Sequence, residues 1–308
     1  MKSRKERPMG QKDLTEKILE DYNDVFADII NGLIFDGKQV ITPQSLDHAS
    51  VHSQYKADDT KIHEQERDVA KYWNGPNRIR FAVLGIENQT KVDRFMPVRM
   101  FGYDGASYRS QLHDRSTDIV PVVTIVLHFG TEKPWSAPTS LKELMNIPNG
   151  MEDFANDYKI HVFDIAWLTD EQIAKFCSDF RIVANFFQKK RTCKDYIPDD
   201  LTEFTHVDEV LKLLSVMTND QEYANLIRTD EDRKELKNMC DVANRIKANG
   251  RKEGILEGRE EGLMEGKILT YAEIVRNNEL PLQTVLNRLN MNEEEFWKTI
   301  EQLEKKNK

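Results

Sequence analysis

Residues 81–103 read FAVLGIENQTKVDRFMPVRMFGY, and the fold turns on how this stretch begins. An unbroken apolar run, Phe81-Ala82-Val83-Leu84-Gly85-Ile86, stops abruptly on Glu87-Asn88-Gln89. A strand that is apolar on both faces reads as a central strand of a sheet. Glu87 and Gln89 stand two apart and project from one face of it. Upstream, residues 67–72 and 78–87 flank the turn Asn74-Gly75-Pro76-Asn77, so the two segments read as a hairpin. Asp68 lies at the start of its first arm, 19 residues before Glu87.

Two acids and an amide around one strand end outline a magnesium-dependent nuclease site. Phosphodiester cleavage needs oxygen ligands for a hard cation, a water held in line and a group that positions it. Asp68 and Glu87 can supply the carboxylates, and Gln89 can hydrogen-bond the water or the phosphate. Gln89 carries no charge, so Lys91, on the same parity if the strand continues, is the expected cation. Asp24, on the first helix, can orient a metal-bound water. Arg78, Arg80, Arg94, Arg99, Arg109 and Arg115 gather around this segment, and Arg94, Arg99 and Arg109 are the candidates for DNA-backbone contacts.

Working outward, residues 1–12 read as a disordered basic tail. Residues 13–35 read as a helix with Leu14, Ile18, Tyr22, Phe26, Ile29, Ile30 and Leu33 on one face. Residues 43–65 are polar and irregular. Residues 92–115 read as a long helix with Phe95, Val98, Met100, Tyr103, Tyr108 and Leu112 as its apolar set, weakened by Gly102 and Gly105. Strands follow at 121–129 and 160–165. A helix over 169–189 has Thr169 as its N-cap. From about residue 200 the pattern is helical to the end. There Gly250, Gly254, Gly258, Gly262 and Gly266 recur at a strict period of four, each of the last four preceded by Glu. Such a stripe costs a helix about 4–5 kcal/mol relative to alanine. It marks either the close approach of another helix or a weakly stable linker.

The chain of 308 residues has a net charge of -9, so no global basic field marks it as a nucleic-acid binder, and any such role rests on a local cleft. Three well-separated cysteines fit a reducing compartment rather than a zinc site. No apolar run is long enough to cross a membrane, and no signal peptide is evident. The expected location is the cytoplasm, without membrane or small-molecule cofactor.

Several blocks in order carry a family resemblance. They are Asn23-Asp24-Val25-Phe26, Arg67-Asp68-Val69, Leu84 to Gln89, Asp93 to Arg99 with Tyr103, 121–130 followed by Trp135, and the Glu-Gly repeat. The chain resembles the recombination-promoting nuclease family, whose members are also described as putative transposases, within the PD-(D/E)XK nuclease superfamily. That resemblance implies an α/β restriction-endonuclease-like core, with a mixed central sheet flanked by helices, over residues 13–205. An all-helical region, 206–308, would follow it. The implied activity is Mg2+-dependent DNA endonuclease action promoting recombination, in a protein of mobile-element origin. Asp68 and Glu87 would bind the metal, Gln89 would stand where the superfamily has Lys, and Asp24 would be an accessory acid. The chain departs from the family pattern in having Asn88 inside the Glu-x-Gln motif and Phe129 between His128 and Gly130. The alternative from another class is a catalytically silent scaffold that keeps the fold and self-associates through the helical tail.

Overall fold

In the computed structural model the chain is described over residues 19–56, 62–113 and 118–306. The expected basic tail, the beginning of the helix at residue 13 and Arg115 lie outside the described residues. The described chain is α/β and divides into two compact units, Met1–Ala243 and Asn244–Lys308.

The first unit is built on a mixed, open, five-stranded sheet. Its strands are β1 (Leu46–His48), β4 (Val69–Asn74), β5 (Arg80–Gln89), β6 (Val122–His128) and β7 (His161–Asp164), side by side in that order. β1, β4 and β5 pair antiparallel, whereas β5, β6 and β7 pair parallel. β5 is central and buried from Ala82 to Asn88, as its apolar run requires. The hairpin turn at residues 75–79 contains Asn77 in the left-handed region, at φ 60°, which Asn tolerates. A bulge between Trp73 and Asn74 adjusts the register there.

A separate two-stranded ribbon, β2 (His52–Lys56) with β3 (Ile62–Glu66), occupies part of the stretch read as irregular. These strands are polar at almost every position and have no apolar alternation, so periodicity gives no strand signal.

Helix α1 (Asn23–Leu33) and helix α2 (Met96–His113) are amphipathic in different ways. α1 buries Val25, Phe26, Ile29 and Ile30. The chain turns at Asp21 and Tyr22, so the single helix expected over 13–35 is interrupted there. α2 buries Met96, Met100 and Tyr103 but leaves Phe95, Val98, Tyr108 and Leu112 exposed. The buried face also carries Asp104 and Gln111. Asp104 binds Arg67 (3.0 Å) and Tyr158 (2.6 Å), while Gln111 brackets Val120. A helix whose inner face is partly polar misleads a purely apolar reading.

The helix expected over 169–189 is two helices, α3 (Asp170–Ile173) and α4 (Phe180–Thr192). Thr169 caps the first with a reciprocal capping box. The break forms because the Asp28 carboxylate accepts the backbone N–H of Cys177 and Ser178 at 2.7–2.9 Å, which ties the chain to α1. α5 (Val207–Thr218), α6 (Gln221–Ala224) and α7 (Asp230–Glu235) also belong to the first unit.

α8 (Met239–Arg276) is the longest helix among the described residues. In the second unit, α9 (Leu282–Leu289) and α10 (Glu293–Lys306) pack on its last turns through Ile268, Ala272, Val285, Leu286, Leu289, Phe296, Ile300 and Leu303. Among the described residues, and leaving aside the adjoining residues and the helix's own nearby backbone, nothing lies within 4 Å of where a Cβ would stand on the five glycines from 250 to 266. Among the described residues no helix is long and apolar enough to cross a membrane.

Candidate active site at the end of strand β5

The β4–β5 register pairs Val69 with Ile86, and the same register brings Asp68 opposite Glu87. The two acids are bonded crosswise. Asp68 N–H donates to Glu87 Oε2 at 3.3 Å, and Asn88 N–H donates to Asp68 Oδ2 at 2.7 Å. Each carboxylate therefore holds the backbone of the opposite strand. Both are buried, at 8% and 1% exposure. Burial and then the charge of Asp68 push the Glu87 carboxyl well above the usual carboxylate range, with Arg99 opposing the shift.

Arg99 comes from the first turn of α2. Its Nη2 is ion-paired with Glu87 Oε1, and its Nη1 reaches Asp93 at 3.3 Å. The Arg99 side chain is 36% exposed, so one side of the guanidinium remains open to solvent. Gln89 Nε2 donates to the same Glu87 oxygen at 3.4 Å.

A third acid joins from a position not singled out in the sequence. Glu20 closes a helical turn just before the break at Asp21 and Tyr22, and it is 0% exposed. Neither of its carboxylate oxygens has a hydrogen-bond partner among the described residues. Burial, with a further push from the Asp68 charge, raises its carboxyl to about 8. The buried Asn88 amide is near enough to oppose that shift, yet its own nitrogen and oxygen find no partner in good bonding geometry. A neutral Glu20 explains how so many acids tolerate one buried corner.

The other expected residues sit elsewhere. The Asp24 carboxylate bonds His206 Nε2 at 3.0 Å, and the His206 ring stacks on Tyr22 at 3.9 Å. The break before α1 turns Asp24 toward α5. β5 ends at Gln89 and the chain bends at Thr90, so Lys91 is exposed beyond the strand rather than continuing its parity. Arg94 is exposed, 5.9 Å from the Phe95 ring centroid, and Arg109 is exposed on α2. Lys71, also unsuspected from sequence, is fully buried on β4. Its Nζ donates to Asp21 O at 2.6 Å and pairs with Asp21 Oδ1 at 3.1 Å.

A cavity of about 660 Å³ opens onto Asp68 between Asp21, Tyr22, Asn23, His48 and Ala49. Among the described residues no three His, Cys, Asp or Glu side chains converge as ready-made metal ligands. Asp68 and Glu87 offer two carboxylates as hard oxygen donors, while the third acid, Glu20, is held neutral by its burial. That number suits Mg2+, which keeps most of its waters and takes one or two carboxylates. The surplus of buried acid over base at this corner is the feature a divalent cation would relieve.

The fold and the crossed acids define an α/β domain with a carboxylate site at the end of its central strand. Residues 80–222 match the model of a family described as "Putative transposase, YhgA-like". The matched region holds Glu87, Gln89 and Arg99, while Glu20 and Asp68 precede it. No curated protein and no solved structure matches the chain.

Proposed function

We propose that the first unit is a metal-dependent DNA endonuclease with a PD-(D/E)XK-type core, and that cleavage by it promotes DNA recombination. The observation that carries this reading is the crosswise bonding of Asp68 and Glu87 at the end of paired strands. Those two carboxylates would hold Mg2+, which when bound supplies Lewis-acid polarisation of the phosphate and a water of lowered pKa. Arg99 takes the part of the cation that Gln89 cannot be. Its open side faces solvent beside Glu87, where it would neutralise charge growing on phosphoryl oxygens. Gln89 orients the attacking water. The proton that this water gives up passes to solvent through the cavity beside Asp68, and the leaving oxygen takes one from solvent. The P–O bond to the leaving strand breaks as the water oxygen bonds phosphorus, leaving one phosphate end and one hydroxyl end. The expected setting is the cytoplasm, where Cys177, Cys193 and Cys240 stay as thiols.

The test is plasmid nicking in Mg2+ and in EDTA by the wild type, Asp68→Ala and Glu87→Ala. Nicking by the wild type in Mg2+ alone supports the reading, and equal nicking by all three proteins overturns the site.

One observation favours a second reading. Among the described residues nothing beyond the helix itself lies within 4 Å of the Cβ positions of the α8 glycine stripe, and Ile255, Leu256, Leu263 and Met264 beside it are exposed. In that reading the domain is a silent scaffold and the helix self-associates. Light scattering of the full chain carrying Gly258→Arg and Gly262→Arg decides it, since an unchanged mass removes the self-association.

A further inference from the structure

β5 and β6 run parallel and in register to their ends, where Gln89 stands opposite His128. Beyond that level the chain leaves both strands, and a cavity of about 520 Å³ opens there. The crevice outside the carboxyl ends of parallel strands is where open α/β sheets take their ligands. Lys91 enters it from the segment after β5, Lys133 from the segment after β6, and Lys190 from the last turn of α4. Glu132 is the only acid lining it.

Among the described residues none of these three lysines has a carboxylate partner, whereas the neighbouring Lys189 pairs with Asp199 at 3.0 Å. Lys190 instead lies 5.5 Å from the Phe186 ring centroid. The floor is rigid. His128 Nδ1 is held by Asp164 Oδ1 at 2.6 Å, and the same oxygen accepts Trp135 N–H at 2.8 Å. Lysines from three separate elements thus line one recess without an ion-pair partner among the described residues, in a chain whose net charge is -9. Three like charges brought together with one acid among them repel one another, and an anion in the space between them would relieve that repulsion.

We propose that this cavity binds a backbone phosphate of the nucleic acid, flanking the cleavage point, so that the substrate strand runs along the ends of β5 and β6. The proposal rests on the nuclease reading for its ligand. Its geometry is separate from Asp68, Glu87 and Arg99.

The test measures binding of a labelled DNA duplex to the full chain in EDTA across a salt titration. Each lysine–phosphate contact contributes roughly 0.9 to the slope of log affinity against log salt. The variant Lys91→Gln, Lys133→Gln, Lys190→Gln should therefore lose about 2–3 from that slope. A matched variant at exposed lysines elsewhere, Lys247→Gln, Lys267→Gln, Lys298→Gln, should keep the wild-type slope. Equal slopes for wild type and cavity variant, or equal losses in the two variants, overturn the proposal. Loss of pyrophosphate binding in the cavity variant with unchanged DNA binding overturns it in favour of a free-phosphate ligand. Asp68→Asn separates the two readings. If neither it nor the wild type cleaves DNA, but the lysine-dependent slope remains, the nuclease assignment falls and the phosphate cavity stands.

Discussion

Glu87 receives hydrogen bonds from three neighbours, the Asp68 backbone, Gln89 and Arg99, whereas among the described residues nothing beyond its own stretch of helix lies within 4 Å of where a Cβ would stand on Gly258. Both belong to the least ordinary stretches of the chain. At the strand end the surroundings fix each side chain, and any change breaks a bond or strands a charge. Along the α8 glycines nothing in the second unit explains the residue chosen, although each glycine costs a helix about 1 kcal/mol relative to alanine. Composition that is expensive and uncompensated within its own unit points to a requirement outside it. Composition that is expensive and fully bonded points to a task performed on the spot.

The largest expected effect is at the strand end. If the proposed site cleaves DNA, Asp68→Ala or Glu87→Ala should lower nicking by at least about 10²–10³-fold, the scale of losing one group that stabilises transition-state charge. Residual activity within about tenfold of wild type in either variant would place the chemistry elsewhere. Next is Arg99→Met, which leaves Glu87 buried beside Asp68 without its cation. Stability should fall by about 1–3 kcal/mol in urea unfolding, less than for a fully buried pair because Arg99 is partly solvated. Arg99→Lys should recover most of that stability but little of the nicking rate, because an ammonium cannot reproduce the guanidinium fork. Equal recovery of both would reduce Arg99 to an ion-pair partner.

The third expectation concerns pH. Burial pushes the Glu20 carboxyl up to about 8 in the fold, against an ordinary value of 4.5. The folded state therefore holds the proton more tightly than the unfolded chain does. This contribution to stability is fully present below pH 4.5 and is lost as pH rises to 8. Glu20→Gln removes this share of the dependence and leaves that of Glu87, so its melting temperature should gain on that of the wild type between pH 5 and pH 9. A gap that does not widen would mean that Glu20 is ionised in the fold. Bound Mg2+ should oppose the wild-type loss, and its apparent affinity should rise over the same range, because ligand carboxylates must shed protons.

The smallest effect belongs to the glycines. Gly254→Ala, Gly258→Ala and Gly262→Ala should each stabilise the isolated helix by about 1 kcal/mol and leave nicking unchanged. A loss of mass by light scattering with these same changes would show that the stripe is a contact surface and sharpen the contrast with Glu87.

Much of the first unit is legible in sequence because its central strand is unusually pure. The apolar run ending on Glu87 marks β5, and a glycine–proline turn before it marks the hairpin that brings Asp68 across. The rest fails for identifiable reasons. Lys91 shares parity with Glu87 only while the strand lasts, and the strand ends at Gln89. Arg99 is visible as one arginine among several, but the turn of α2 that brings it to Glu87 is not. In an unbroken helix Glu20 and Asp24 would share a face. The interruption at Asp21 and Tyr22 separates them, sending Glu20 to the acids and Asp24 to His206. The polar ribbon β2–β3 is held by backbone pairing that no side-chain period announces.

The bulge at Trp73–Asn74 has a consequence for how the chain can vary. Because side chains alternate across a strand, sliding β4 by a single residue would turn Asp68 to the opposite face from Glu87. The turn at 75–79 is therefore constrained by its count of residues more than by their identity. A lone insertion there would leave a well-paired sheet whose two acids no longer meet, unless a second irregularity like the bulge absorbed it. Length polymorphism in this one turn would separate relatives that keep the site from those that keep only the fold.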